Sequence, residues 1–286
     1  MSIQFSPVIA AQNRGTGSAF SVKALDLAGA GDSASPVIVL DDFRVRGRPF
    51  PPHPHAGFAA VTYVFEDSPG GLRSRDSLGN DVVTGPGGIV WTQTGSGLIH
   101  EELPADSNLE LHGLQIFVNL SSKNRLAAPQ MLRLEAHQVP DWRSEHGDRV
   151  RVLVGSFRGV SSALVPLEPF HLLDVEMRRE ISFEIQNAYN AIVYVVHGSV
   201  RVLADGRRQA LSGGNAVALS GSGGPVSLAA LHPTHLFILS GPLIDEPLVV
   251  QGSFMMNTRA QIDAAINRFE SGKMGRLSPF SNESSD

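Results

Sequence analysis

The chain has 286 residues, with 23 basic and 28 acidic side chains and a formal net charge of -5. This balance argues against general binding of nucleic acid, which depends on clustered Lys and Arg. The sequence has no cysteine, which excludes disulfides and thiolate metal ligands. We find no secretory signal pattern, and apolar segments such as 191–196 are too short to span a bilayer. We therefore expect a cytoplasmic protein that binds neither nucleic acid nor membranes.

Frequent turns divide the first half of the chain into short strands. The 29 glycines and 18 prolines are numerous for this length and occur without low-complexity repeats. Strand patterns cover residues 37–40, 60–65, 89–91, 98–103 and 109–120. Helical periodicity is absent between these segments. The sequence predicts a meander of antiparallel hairpins, which is typical of an all-β domain.

The second half begins a new series of strands after the pattern lapses between residues 121 and 147. We place the domain boundary near Pro140, giving domains 1–140 and 141–286. Asp205-Gly206 lies between alternating runs and predicts a two-residue hairpin turn. Near the end, Thr258 and Gln261 form a capping-box pattern ahead of apolar residues at helical spacing. We expect one helix near residues 258–272.

A weak internal repeat relates the two halves. Setting Tyr63 opposite Tyr194 aligns the strand 61–65 with 192–196. Glycine-rich turns then follow both strands at similar distances. The alignment suggests a duplicated β-barrel whose second copy lacks a metal site, since Glu184 and Gln186 stand opposite two of the metal-ligand candidates described next.

Two short motifs in the first half carry candidate metal ligands. His53 and His55 are two residues apart, as are His100 and Glu102. Alternate side chains of an extended chain point to the same face, so each pair can face one site. The same alternation directs Glu101 away from Glu102, so we expect Glu101 to face solvent. We therefore expect three imidazoles and one carboxylate to form a metal site in the first domain.

This ligand set suits one divalent ion of Fe, Mn, Ni, Cu or Zn. Four ligands on an octahedral ion leave two positions open, as in non-haem iron sites where dioxygen and a chelating substrate both bind. A closed structural zinc site is the competing interpretation, although such sites are commonly rich in sulfur. The non-metal alternative is a polar strand end with scattered histidines, which two independent ligand pairs make less favourable.

Several motifs resemble the pirin family. They comprise residues 52–58 (PHPHAGF), 75–80 (RDSLGN), 97–102 (GLIHEE), 113–120 (GLQIFVNL) and 256–258 (MNT). The resemblance implies two tandem cupin-type β-barrels, a bicupin, with a C-terminal helix and one metal ion in the N-terminal barrel. It also implies that His53, His55, His100 and Glu102 are the ligands and that the metal is Fe(II).

The resemblance implies two alternative functions. Some relatives are quercetin 2,3-dioxygenases, oxidoreductases that open a flavonol ring with dioxygen, and this reading gives the chain an aromatic small-molecule substrate. In it, Glu102 is also the catalytic residue that takes the substrate's hydroxyl proton. Other relatives are iron-dependent, redox-sensing partners of transcription factors or metabolic enzymes. This chain differs from the family at Ala56, where relatives often have Arg, and at Ala59, where they often have Glu. We expect the protein to be a monomer.

Overall fold

The structure is a computed structural model that describes residues 2–15, 19–48 and 50–280. The strands of the first half are β1 (Gln4–Phe5), β2 (Ile9–Ala10), β3 (Gln12–Gly15), β4 (Phe20–Ala24), β5 (Val37–Val45), β6 (His53–His55), β7 (Phe58–Val64), β8 (Leu72–Asp76), β9 (Asp81–Thr84), β10 (Ile89–Gln93), β11 (Leu98–Pro104), β12 (Leu111–Asn119) and β13 (Gln130–Leu134). Those of the second half are β14 (Asp141–Arg143), β15 (Arg149–Val154), β16 (Ser156–Phe157), β17 (Val160–Ser161), β18 (His171–Met177), β19 (Glu180–Ile185), β20 (Tyr189–Ala204), β21 (Arg207–Ser212), β22 (Asn215–Ser220), β23 (Gly224–Pro242), β24 (Val249–Gln251) and β25 (Phe254–Met256). Leu27–Ala34 and Ala136–Gln138 are 3-10 helices, and helix α1 covers Arg259–Glu270. Within these residues, no helix combines the length and apolar character needed to cross a bilayer.

Two antiparallel sheets form the first barrel. One has the strand order β13-β10-β7-β12-β5-β4-β3 and the other β6-β11-β8-β9. Apolar side chains from both sheets meet inside, among them Phe43, Val64, Leu72 and Leu111. The alternation of each strand therefore sends one set of side chains into the barrel and the other set outward.

The second barrel is built around the long strands β20 and β23. They pair along most of their length, with bulges between Val195 and Val200 that let one sheet bend into two walls. Strands β1 and β2 pair with β22, so residues near the N-terminus contribute to this second sheet. The division of the chain near Pro140 stays a prediction.

The two barrels pack face to face through a shared apolar core. Strand β7 is buried along its whole length because its two faces pack against different groups. Its Val61 and Tyr63 belong to a core that also contains Tyr194 and Phe237 of the second half. Val64 instead faces the interior of the first barrel.

In each barrel, one tyrosine hydroxyl donates a hydrogen bond to a buried aspartate of the other barrel. Tyr63 donates to Asp174 Oδ2 at 2.6 Å, and Tyr194 donates to Asp42 Oδ2 at 3.0 Å. The exchange is reciprocal, as expected if the two barrels are copies related by an approximate two-fold axis. It supports the sequence alignment that sets Tyr63 opposite Tyr194.

The same aspartates bind a histidine within their own barrel. His112 Nε2 lies 2.9 Å from Asp42 Oδ1, and His235 Nε2 lies 2.6 Å from Asp174 Oδ1. In both barrels the histidine strand pairs with the aspartate strand. The repeat therefore extends beyond the tyrosines to these His–Asp pairs.

The C-terminal segment returns from the second barrel to the first. The β24–β25 hairpin packs on the chain after His55, where Ala56 forms a parallel bridge with Phe254. Gly57 has φ +91°, and a Cβ there would lie 1.7 Å from the Met255 carbonyl oxygen. Only glycine permits this approach. Helix α1 follows, and Thr258 and Gln261 form the predicted capping box.

Candidate metal centre

All four predicted ligands, Glu102 on β11 included, lie on two paired strands of the smaller sheet. Strand β6 carries His53 and His55, and β11 carries His100. In the antiparallel register His53 lies opposite His100, and His55 lies opposite Leu98. The two-residue spacing directs His53 and His55 to the same face, toward His100.

The three imidazoles converge on one point. Each offers a nitrogen, and these atoms lie within 4.8 Å of one another. His53 Nε2 is 3.2 Å from His100 Nε2, and the ring centroids are 4.6 to 4.8 Å apart. The edge-on rings leave their nitrogens facing a common centre. This arrangement is a candidate three-histidine metal site.

The hydrogen bonding and burial of these histidine rings favour metal binding. His53 Nδ1 lies 2.9 Å from the Pro51 carbonyl oxygen and so carries the proton, which leaves Nε2 with a free lone pair. Burial, with a contribution from the nearby His53, lowers the pKa of His55 to about 3. Burial likewise holds the pKa of His100 well below its ordinary range. A divalent metal binds the neutral form of imidazole, which burial favours for His55 and His100.

Glu102 lies beside the three histidines but outside their immediate group. Its Oε2 accepts a hydrogen bond of 2.7 Å from the Thr62 hydroxyl, and its Oε1 lies 3.4 Å from the Ser74 hydroxyl. Burial raises the pKa of Glu102 to about 7, although the hydrogen bonds from Thr62 and Ser74 oppose this rise. The assignment of Glu102 as fourth ligand stays a prediction.

The expectation that Glu101 faces solvent is wrong. Glu101 does point to the opposite side of β11 from Glu102, but this side is covered, and its residue exposure is only 3%. Arg75 Nη1 donates to its Oε2 at 2.8 Å, and the backbone N–H of Phe280 donates to the same atom at 3.1 Å. The C-terminal segment returns over the outer face of this strand, which strand alternation alone does not reveal.

A cavity of about 220 Å³ leads to the histidines. The three histidines and Glu102 lie at one part of its wall, together with Asp41 and Gln115. Most of the remaining wall is apolar and comes from Phe20, Val22, Phe43, Val45, Phe50, Leu72, Leu111 and Phe117. The cavity suits an apolar, ring-shaped molecule with a few polar atoms directed to the histidines.

Two polar residues that support Glu102 were not predicted from the sequence. Thr62 Oγ1 also lies 3.2 Å from Gln115 Oε1, and Gln115 Nε2 donates to the Val61 carbonyl at 3.0 Å. Thr62 and Gln115 are polar residues at inward positions of two largely apolar strands, β7 and β12. A polar residue at an inward position is costly unless it has a partner, so this pattern could have indicated them.

Comparison with known proteins agrees with the fold. The family model described as Pirin matches residues 16–118, and that described as Pirin C-terminal cupin domain matches residues 172–275. A pirin-like protein of Arabidopsis thaliana is 34% identical over 252 residues, covering 84% of this chain and 80% of the relative. The chain belongs to the pirin family. Pirin of Homo sapiens is 31% identical over 246 residues, covering 84% of this chain and 83% of its own length.

Solved structures confirm the predicted pair of cupin-type barrels with a C-terminal helix. Quercetin 2,3-dioxygenase from Acinetobacter baumannii superposes with a TM-score of 0.83 and 27% identity, covering 96% of this chain and 99% of that chain. A bacterial pirin from Escherichia coli in complex with nickel(II) has a TM-score of 0.63 and 20% identity over 84% of this chain and 99% of that one. At 20% identity, the similarity to the bacterial pirin supports the fold alone.

Proposed function

We propose that this pirin is a metal-dependent oxygenase of the quercetin 2,3-dioxygenase type that acts on a small chelating aromatic molecule. The observation that carries the proposal is the apolar-walled cavity that ends at His53, His55 and His100. The similarity to a quercetin 2,3-dioxygenase at 27% identity supports it. A narrow polar site beneath a flat charged surface would have favoured a docking function instead.

We further propose that the three histidines and Glu102 hold one divalent ion, Fe(II). A redox-active ion bound there would supply Lewis acidity to a chelating substrate oxygen and electron transfer with dioxygen. Glu102 Oε1 or Oε2 would take the proton of the substrate hydroxyl. In the metal-free protein, burial raises the pKa of Glu102 to about 7. A bound cation would oppose this rise and keep Glu102 in the carboxylate form, which can accept the proton.

The cavity walls would position the aromatic body of the substrate. Phe43 and Phe117 line the inner wall, and Phe50, which is 44% exposed, lies at the opening. The volume of about 220 Å³ is below the usual range for sites that enclose a whole drug-sized ligand. The substrate would therefore place its chelating ring inside and extend the rest past Phe50.

Parallel metal reconstitution tests the proposal. We would load the protein anaerobically with Fe(II), Mn(II), Ni(II), Cu(II) or Zn(II) and then measure oxygen uptake with quercetin. Uptake with Fe(II) supports the activity, and no uptake with any metal refutes the flavonol substrate. His100→Ala should lose bound metal, whereas the exposed His146→Ala should keep it. Glu102→Gln that retains metal but loses turnover would identify Glu102 as the proton acceptor.

A regulatory binding function is the second candidate, and the outer face of β11 favours it. Glu101 on that face accepts hydrogen bonds from the Arg75 side chain and from the backbone N–H of Phe280. Oxidation of the metal by one electron would add one positive charge near Glu101. This charge would alter the hydrogen bonds of Glu101 and thereby the position of the C-terminal segment. Hydrogen exchange of residues 272–280 in the Fe(II) and Fe(III) forms tests this. Redox-dependent exchange without oxygen uptake would favour regulation over turnover.

A further inference from the structure

The second barrel contains a cavity of its own. Its volume is about 470 Å³, compared with about 220 Å³ for the cavity of the first barrel. Apolar side chains form part of its wall, including Phe157, Leu173, Phe183 and Ile238. Polar groups, among them Arg158 and Glu184, lie beside this apolar wall. Cavities of this size and mixed lining commonly bind small molecules.

This cavity occupies the position of the metal centre in the repeat. The alignment of Tyr63 with Tyr194 places Glu184 opposite His53 and Gln186 opposite His55. Both residues line the second cavity.

Strand pairing gives the same equivalence. His53 lies opposite His100 in the first barrel, and Glu184 lies opposite Pro225 in the second. Pro225 also lines the cavity and cannot bind a metal through its side chain. The second barrel thus keeps a cavity where the first holds its histidines, but with different chemistry.

Arg158 provides a cationic group at this cavity. It occupies the first position of the two-residue turn between β16 and β17, with φ +45°. Glycine, Asn or Asp normally occupies such a position, and a strained residue there indicates a functional constraint. Its guanidinium lies 4.5 Å from the centre of the Trp142 ring and donates to Ser182 Oγ at 3.2 Å. In the described part of the chain it forms no ion pair, so it can bind an anion.

The remaining polar groups limit the class of ligand. Burial lowers the pKa of His171, so this ring is neutral and Arg158 is the cation that selects an anion. A guanidinium pairs with the planar carboxylate through two parallel hydrogen bonds. The apolar wall favours an organic acid with a ring over inorganic phosphate. Exposed Glu184 can accept a hydrogen bond from a hydroxyl group of that ring.

We propose that the cavity of the second barrel is a metal-independent site for a small aromatic carboxylic acid. The carboxylate binds Arg158, the ring packs against Phe157 and Phe183, and a ring hydroxyl faces Glu184. The site is separate from the metal centre, so it stands whether or not the oxygenase function is correct.

Calorimetric titration of the purified full-length protein tests this site. The probes are 4-hydroxybenzoate, the uncharged 4-hydroxybenzyl alcohol and inorganic phosphate. We expect the acid to bind at least tenfold more tightly than either comparison ligand. Absence of acid binding at 10 mM, equal binding of acid and alcohol, or tighter binding of phosphate would overturn the proposal. The 10 mM limit corresponds to a binding free energy of about -3 kcal/mol.

Arg158→Asn assigns the binding to this cavity. Asparagine tolerates positive φ, so the variant should melt at the wild-type temperature or above it while losing at least tenfold in affinity. Arg143→Asn is the matched control, because Arg143 is exposed on the neighbouring strand β14 and pairs with Asp141. It should bind normally. His100→Ala should also bind normally, and acid binding that is lost there but kept in Arg158→Asn would place the ligand at the metal centre instead.

Discussion

Removing the Tyr63 hydroxyl should destabilise the protein more than removing its counterpart in the repeat, Tyr194. The Tyr63 hydroxyl donates to Asp174 at 2.6 Å and accepts a hydrogen bond from Arg151 Nη1 at 2.7 Å. The Tyr194 hydroxyl makes one hydrogen bond, to Asp42 at 3.0 Å. Burial holds the pKa of both hydroxyls above the ordinary tyrosine range, so both stay protonated and can donate.

The expected cost follows from the number of charged partners. A hydrogen bond to a charged group contributes about 1.5–3 kcal/mol, and a buried partner left unsatisfied adds to the loss. Tyr63→Phe removes two such bonds and should lower the free energy of unfolding by about 3 kcal/mol or more. Tyr194→Phe removes one and should lower it by about 1.5 kcal/mol. Both substitutions keep the aromatic ring, so packing between the barrels is preserved.

Urea unfolding followed by circular dichroism measures both costs under the same conditions. The double variant should cost about the sum of the single variants, because the two tyrosines bind different aspartates. Equal costs for the two single variants, or a cost for Tyr63→Phe below about 1 kcal/mol, would refute the assignment of two charged partners to Tyr63.

Two further predictions concern backbone contact and pH. Gly57→Ala should destabilise the protein more than Gly79→Ala. Both glycines have positive φ, but a Cβ at Gly57 would lie 1.7 Å from the Met255 carbonyl oxygen, whereas a Cβ at Gly79 would meet open space. Thermal unfolding measures the difference, and equal losses of stability in the two variants would contradict the prediction. Burial would raise the pKa of Asp174, but the hydrogen bonds from His235 and Tyr63 outweigh this effect and lower it. Burial would lower the pKa of His235, but its hydrogen bond to Asp174 and the charge of that carboxylate outweigh this effect and raise it. Their pairing should therefore stabilise the fold most between about pH 4 and 6.5, weakening below as Asp174 gains a proton and above as His235 loses one. His235→Gln should abolish the alkaline part of this dependence in urea unfolding from pH 5 to 9, and an unchanged slope would contradict the assignment.

The local sequence predicted those features that depend on spacing between near neighbours. The pair His53 and His55 faces one side because alternate residues of a strand do. Thr258 and Gln261 cap helix α1 because both capping bonds lie within its first turn. Asp205-Gly206 forms a tight hairpin between β20 and β21, with φ of +48° and +73°. Each of these needs only a few consecutive residues.

Tertiary structure decided which side chains meet across the fold and what covers each strand face. Strand alternation separated Glu101 from Glu102, but it could not predict that Arg75 and Phe280 would cover Glu101. The three-histidine cluster required the antiparallel register of β6 and β11, which brings His100 opposite His53 across 46 intervening residues. The sequence by itself thus determined the direction of each candidate ligand within its strand. Burial, which sets the pKa of Glu102 and the neutrality of His100, came only from the packing of distant segments.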